Sequence, residues 1–373
     1  MSETTPRRWV VAGGGTGGHV TPALALAERI AARGDAVLLL GARQGLEARL
    51  VPEAGFELVT LPAQQLMGRS LGARLRAAPA MAAACAAAWR ALGRARADLV
   101  VSVGGYASVP AVVAALARRI PLALVEPNAV PGRANRAAAR FARRIFVGFD
   151  AAAEVFARSV GRERLSTPGI PLRSALVEAF SRQAARRVPA PPFRLLVFGG
   201  SQGARQINEA MLEAAPSLDA QLLEVFHQTG EADRERVAAA YAAAGLRAEV
   251  VAFEPNMPAR YRWADLALCR AGALTVAELA MAGLPALLVP YPHAADDHQL
   301  ANARALADAA AARVLAARPL PTPDVVKAIS GAFANPAELQ AMSARAAKLA
   351  RPDAAERIVQ ECAALVSASE EEA

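Results

Sequence analysis

Thr16 and His19 close a glycine run, GGGTGGH at 13–19. Ser201 stands in a second, GGSQGAR at 199–205. A third stretch, CRAGALTVAE at 269–278, places Thr275 and Glu278 after Gly272. A glycine turn leading from a strand into a helix lets backbone approach a ligand closely. It also aims the unpaired helix-start N–H groups at an anion. Thr16 and Ser201 add hydroxyls to two such loops. In the third, the spacing predicts a helix whose first turn holds Thr275 and Glu278. A carboxylate there can accept from both hydroxyls of a ribose while the helix start holds phosphates. For any one loop, a tight turn with no ligand is the competing reading; three loops in two matched halves weigh against it.

Gly13, Gly15 and Gly18 satisfy the dinucleotide spacing GxGxxG. The strand that should then end in an acid reads LLLGARQG, with Arg43 and no Asp or Glu. This disfavours NAD and leaves an NADP-dependent oxidoreductase as one alternative. His293, Asp296, Asp297 and His298 lie close enough in sequence to suggest a metal cluster. Cys85, Cys269 and Cys362 are far apart, without metal-ligand spacing, and read as reduced structural thiols.

The elements that must position these residues are regular. Short apolar runs (WVVA, AVLLLG, DLVVSVGG, PLALVE, RIFVG) alternate with helical patterns, and the alternation restarts at RLLVFGG. Continuously apolar strands between helices predict parallel sheets covered on both faces. The expected fold is α/β, with two Rossmann-like doubly wound domains and an interdomain cleft as the default ligand site. Proline, glycine and charge break the periodicity between the halves, so the domains are drawn at 1–172 and 173–351. The length of 373 residues suits two domains.

The start carries no secretory h-region, and no apolar run reaches the roughly 20 residues that span a bilayer. A soluble or peripheral protein is expected. Net charge is +8, which favours a polyanionic partner, nucleic acid or an anionic membrane face. The segment from Ser70 to Asp98 reads as a basic amphipathic helix. Leu71, Leu75, Ala78, Ala82, Cys85, Trp89 and Leu92 form its apolar stripe, with Arg74, Arg76, Arg90 and Arg94 toward its ends. Leu75, Trp89 and those four arginines are the expected membrane contacts. A helix simply packed on the sheet is the competing reading.

Taken together, GGGTGGHVTPALALA, GGYASVPA, EPN, GGSQGARQIN, HQTG, the block from CRAGALTVAE to DDHQLANA and PDAAERI resemble the MurG family of lipid I N-acetylglucosaminyltransferases. The match runs in order from about Val10 to Ile358. The resemblance implies a GT-B fold whose last helix, 352–368, crosses back onto the first domain. It implies inverting transfer of GlcNAc from UDP-GlcNAc to lipid I, undecaprenyl-diphospho-MurNAc-pentapeptide, with no cofactor and no tightly held metal.

In that family's pattern the second half holds UDP-GlcNAc. Ser201 binds the nucleotide or its phosphate. Ala273, Leu274, Thr275, Val276, Ala277 and Glu278 supply helix-start N–H groups and the ribose carboxylate. Arg173 reaches the nucleotide, Gln299 reads sugar hydroxyls, and the uracil contact falls on Glu254, where an aliphatic residue is usual. Thr16, Gly17 and Gly18 lie beside Asn128 on the acceptor side. His19 and Glu126 are the candidate bases, with Asn128 completing the catalytic set; Pro127 stands where the family has glutamine. For His19 a structural hydrogen bond, and for Asn128 a turn, are the competing readings.

The implied partners are UDP-GlcNAc, lipid I, the anionic leaflet at the cytoplasmic face of the bacterial inner membrane, and other cell-wall and division proteins. Nucleic acid is not among them, since no nucleic-acid module or aromatic-basic platform is present. UDP-GlcNAc 2-epimerase, which shares fold and donor, is the enzyme alternative.

Overall fold

The computed structural model describes residues 6–62, 71–181, 186–200 and 203–371, with the side chains of 71–77 and 368–371 outside the description. Ser201 and the side chains of Arg74, Leu75 and Arg76 therefore lie outside the described residues. The chain divides into two compact units: Met1–Ser174 with Arg351–Ala373, and Ala175–Ala350.

The first unit is built on seven parallel strands: β1 (Arg8–Gly13), β2 (Ala36–Ala42), β3 (Leu58–Leu61), β4 (Leu99–Gly104), β5 (Leu122–Glu126), β6 (Arg144–Val147) and β7 (Leu165–Ser166). Their order is β3-β2-β1-β4-β5-β6-β7. Strands such as Val10-Val11-Ala12 are apolar at every position because both faces are covered. On one face, Leu24, Leu26 and Ile30 of the Gly17–Ala32 helix pack with Trp9, Val11 and Val101. The chain's last helix, Ala354–Glu371, adds Ile358, Val359 and Cys362 to that same core. Each such aliphatic side chain contributes about 1.5–3 kcal/mol by leaving water. Glu361 fastens this helix to the sheet, accepting from Arg144 Nε and from Ser166 Oγ, each at 2.8 Å.

The opposite face carries the Leu71–Ala95 helix, and here the expected apolar stripe is corrected. Its buried residues are Ala84, Ala88, Ala91 and Leu92, in one core with Val10, Val100 and Leu122 of the sheet and with Ala111, Val112 and Ala115 of the Val109–Ala117 helix. Ala78 and Ala82 are exposed, and so is Trp89, at 40%. Alanine is small enough to let this helix approach the Val109–Ala117 helix and the sheet closely. The seam therefore follows the alanines, and the tryptophan is turned outward.

The second unit has six parallel strands: β8 (Phe193–Phe198), β9 (Leu223–Gln228), β10 (Arg247–Val251), β11 (Leu266–Cys269), β12 (Ala286–Leu288) and β13 (Ala312–Val314). Their order is β10-β9-β8-β11-β12-β13. Its core gathers Leu195, Val197, Ile207, Met211, Leu268, Leu287 and Ile329, with Phe193 stacked on Phe333 at 4.6 Å.

In each unit the strand order reverses between the first and fourth strands, between β1 and β4 and between β8 and β11. Chains leaving the carboxyl ends of those strands diverge and leave a crevice. All three glycine loops follow β1, β8 or β11. No helix among the described residues is long and apolar enough to cross a membrane.

Candidate functional site

In the first unit, Thr16 is the N-cap of the Gly17–Ala32 helix, and its side chain makes no capping bond. Its Oγ1 lies instead 3.0 Å from His19 Nδ1. The hydroxyl thus fixes the imidazole ring, while the first-turn amides of Gly17 and Gly18 have no partner within the helix.

The Gly15 amide is already taken. It donates to both oxygens of Glu47, at 3.1 and 3.0 Å, and Ala42 N donates to Glu47 Oε1 at 2.7 Å. A Cβ on Gly14, Gly41 or Gly45 would lie 2.1, 2.4 or 2.0 Å from that side chain, so these glycines make room for a buried carboxylate. The Gly15 amide, which a dinucleotide diphosphate would use, is therefore already engaged, and this counts against the NADP reading.

The loop after β4 lies against the same turn. Gly104 and Gly105 both have positive φ, 93° and 81°. A Cβ on Gly105 would stand 2.5 Å from Gly14 O and 3.3 Å from His19 Nδ1, so only glycine lets the two loops touch. Tyr106 follows, close enough that a Cβ on Gly15 would sit 2.6 Å from its ring. Burial, and then the Glu47 charge, raise its phenol pKa.

Glu126 is 1% exposed at the end of β5. Its Oε1 accepts from Asn128 N and Asn128 Nδ2, at 2.9 and 3.3 Å. Its Oε2 accepts from Gly132 N and Asn135 Nδ2, at 2.9 and 3.0 Å. Burial raises its pKa, against the pull of these donors. With both oxygens engaged, Glu126 shapes the 127–132 loop and sets Asn128.

In the second unit, Gly200 and Gly203 take positive φ, 91° and 74°. Gln228 Nε2 donates to Gly200 O at 2.9 Å and to Ala252 O at 3.2 Å, pinning the loop to its neighbour. Asn208 Nδ2 donates to Thr229 O at 3.0 Å, and Asn208 Oδ1 lies 3.1 Å from His227 Nε2. His227 is fully buried, and burial pushes its pKa down to about 3, so it is a neutral structural group.

The Ala273–Ala282 helix starts directly after Gly272, its extended N-cap. Ala273, Leu274, Thr275 and Val276 supply the first turn. Glu278 falls in the second turn, a correction to the expected placing. There Tyr261 O–H donates to Glu278 Oε2 at 2.6 Å. Burial pushes the Glu278 carboxyl up to about 7, with Tyr261 pulling it down. Gln299 closes the loop below: its Oε1 accepts from Ala271 N at 3.3 Å and Tyr291 N at 2.9 Å, leaving the amide N–H groups to donate.

Three expected contacts have other partners. Arg173 Nε donates to Glu28 Oε1, and Ser174 N to Glu28 Oε2 at 2.8 Å, within the first unit. Glu254 accepts from Asn256 N at 2.7 Å and Arg260 Nε at 2.6 Å, and Arg260 also lies over the Phe226 ring. A side-chain contact from Glu254 to a base is not what this arrangement offers; backbone is. Trp89 is capped by Arg118, whose guanidinium lies 4.2 Å from the ring and whose Nε donates to Trp89 O. Arg90 and Arg94 are exposed. Asp297 Oδ1 accepts from Arg318 Nη2 at 2.7 Å and His298 Nδ1 lies 2.8 Å from Ala295 O; the described residues contain no group of three or more His, Cys, Asp or Glu side chains that could hold a metal ion.

Glu47, Tyr106, Asn135, Gln228 and Tyr261 were not singled out from sequence. Each acts through a partner distant in the chain, and its type alone carries no signal.

The glycosyltransferase family 28 N-terminal domain matches residues 9–147 and its C-terminal domain residues 194–358. The protein named UDP-N-acetylglucosamine–N-acetylmuramyl-(pentapeptide) pyrophosphoryl-undecaprenol N-acetylglucosamine transferase from Geobacter metallireducens is 41% identical over 358 residues. That spans 95% of this chain and 97% of the relative. The crystal structure of Acinetobacter baumannii MurG superposes with a TM-score of 0.76 at 31% identity, over 96% of this chain and 99% of that one. A UDP-GlcNAc 2-epimerase from Neisseria meningitidis reaches a TM-score of 0.66 at 12% identity, over 94% of this chain and 98% of that one, a likeness of fold alone.

Proposed function

We infer the function from the premise that the chain belongs to glycosyltransferase family 28: it is an N-acetylglucosaminyltransferase with a GT-B fold. It transfers GlcNAc from UDP-GlcNAc to the MurNAc-pentapeptide of undecaprenyl-diphosphate-linked lipid I, in peptidoglycan synthesis. The observation that carries this is identity of 41% along nearly the whole of both chains. It holds across both glycine-loop units and not in a single motif.

The division of labour is our proposal. The second unit takes the donor. The diphosphate rests on the amides that open the Ala273–Ala282 helix, with Ser201 from the neighbouring loop, and no resident metal is needed. Glu278 accepts from the ribose hydroxyls with the lone pairs that Tyr261 leaves, and Gln299 donates to the sugar. Uracil is read by backbone near Glu254. The first unit takes the acceptor, with the lipid diphosphate on the amides of Thr16, Gly17 and Gly18 and the sugar beside Asn128.

In the transfer, the acceptor hydroxyl oxygen bonds to the anomeric carbon as the bond from that carbon to the diphosphate oxygen breaks. UDP leaves, the configuration inverts, and His19 takes the hydroxyl proton. When Nδ1 carries a proton and donates to Thr16, the lone pair is on Nε2, the base form.

The exposed Trp89, Arg90 and Arg94 support peripheral attachment to the cytoplasmic leaflet of the inner membrane, where cell-wall and division proteins would be met. An assay of UDP release with and without a lipid I analogue tests the activity: release must depend on the acceptor.

A further inference from the structure

The second unit holds a cavity of about 200 Å³ whose lining includes Arg186, Arg187, Arg194, Arg262, Trp263 and Asp265. It lies at the opposite end of the sheet from the glycine loops. Arg194 is the second residue of β8, and Asp265 immediately precedes β11. The donor loops leave the other ends of these same strands, so this cavity is not part of the nucleotide site.

Four arginines against Asp265, with Glu224 Oε2 4.0 Å from Arg194 Nε, leave a surplus of two positive charges. Asp265 is already committed: its Oδ2 accepts from Arg194 N at 3.0 Å and its Oδ1 from Arg187 Nη2 at 3.3 Å. Among the described residues Arg186 donates to carbonyls, Tyr261 O at 3.0 Å, Ala282 O at 3.3 Å and Ala264 O. Burial pushes its pKa down to about 10, so it stays charged at neutral pH while poorly solvated. Arg194 Nε is buried and has no hydrogen-bond partner among the described residues; a carboxylate oxygen, Glu224 Oε2, stands 4.0 Å off. A buried donor without an acceptor is costly and uncommon in a native fold.

We propose that this cavity is a second anion site, which takes a phosphate or diphosphate group carried by a soluble ester or a lipid headgroup. Guanidinium groups match phosphate oxygens in pairs. A surplus of two charges suits a multiply charged anion better than a single carboxylate. The volume falls below the roughly 300–1,000 Å³ of sites that enclose drug-sized molecules, so the phosphate enters and the rest of its carrier stays outside.

The test uses the full chain saturated with UDP, which occupies the donor site. Inorganic pyrophosphate is titrated calorimetrically into the parent protein, into Arg187→Gln/Arg262→Gln and into Arg262→Gln alone. Arg262 is exposed, so the single variant keeps its fold. The expected result is saturable binding to the parent, weakened at least tenfold in the double variant and measurably in the single one, with UDP affinity unchanged in all three. No saturable binding to the UDP-saturated parent, or equal binding by the variants, overturns the proposal. Sedimentation with phosphatidylglycerol vesicles then separates the sources. Loss of vesicle binding in the double variant points to a lipid headgroup; retained vesicle binding with lost pyrophosphate binding points to a soluble phosphate ester.

Discussion

Tyr261 O–H donates to Glu278 Oε2 at 2.6 Å, joining a buried phenol to the carboxylate proposed to hold the ribose. Burial lifts this carboxyl from 4.5 to about 7. The folded protein therefore keeps a proton that the unfolded chain has released. Between those two values the group's contribution to stability falls as pH rises. Ribose hydroxyls donate to the ionised form, so UDP affinity should climb as pH rises from 6 to 8 in the parent protein. It should be weaker and flat across that range in Glu278→Gln. Tyr261→Phe removes the one hydrogen bond that lowers this pKa, so its affinity curve should move to higher pH. Titrations at several pH values check all three; a parallel pH dependence in Glu278→Gln would remove Glu278 from the ribose.

His19→Ala should lower kcat by roughly 10²-fold or more, with UDP affinity nearly kept, since only the proton acceptor is lost. Thr16→Ala should cost less and shift the pH profile of kcat, because Thr16 Oγ1 orients Nδ1 without receiving the substrate's proton. If His19→Ala changes only the acceptor KM, His19 positions lipid I and another group is the base.

Glu126→Gln puts an amide N–H2 where the carboxylate accepts from Gly132 N and Asn135 Nδ2, or from the two nitrogens of Asn128. A donor would then face donors, at a cost of about 1–3 kcal/mol. The variant should melt at lower temperature and show a raised acceptor KM, with the parent's pH profile of kcat intact. Disappearance of the profile's rising limb would make Glu126 the base.

Both glycine-loop crevices were legible in the sequence because the runs before them, such as Val10-Val11-Ala12 and Leu195-Leu196-Val197, are apolar throughout and lead into glycine. The Leu71–Ala95 helix was legible as a helix, but not its packing face. An alanine-rich stretch permits several apolar seams, and only contact with the Val109–Ala117 helix and the sheet selected Ala84, Ala88 and Ala91. Charged residues were the hardest to assign. Arg173 and Glu254 read as ligand contacts, yet Glu28 and Arg260 satisfy them from other elements. Glu47 gave no signal, because its work depends on Gly15 and Ala42 being brought to it by the sheet.

Replacing Arg74, Arg76, Arg90 and Arg94 together with glutamine should weaken binding to anionic vesicles, most visibly at low salt. Each arginine near such a surface is worth on the order of 1 kcal/mol, and salt screens it. Turnover of a short-chain soluble acceptor should survive, while turnover of full-length lipid I in vesicles falls. Parent-like vesicle binding and lipid turnover would reduce this segment to a helix packed on the sheet.

The most direct test of the account is mass spectrometry of the acceptor after incubation with UDP-GlcNAc and a lipid I analogue. The account predicts an acceptor heavier by one N-acetylhexosamine, with UDP released in equal amount and no change in either substrate when the other is withheld. An acceptor of unchanged mass, with UDP-GlcNAc consumed or epimerised in its absence, would contradict it.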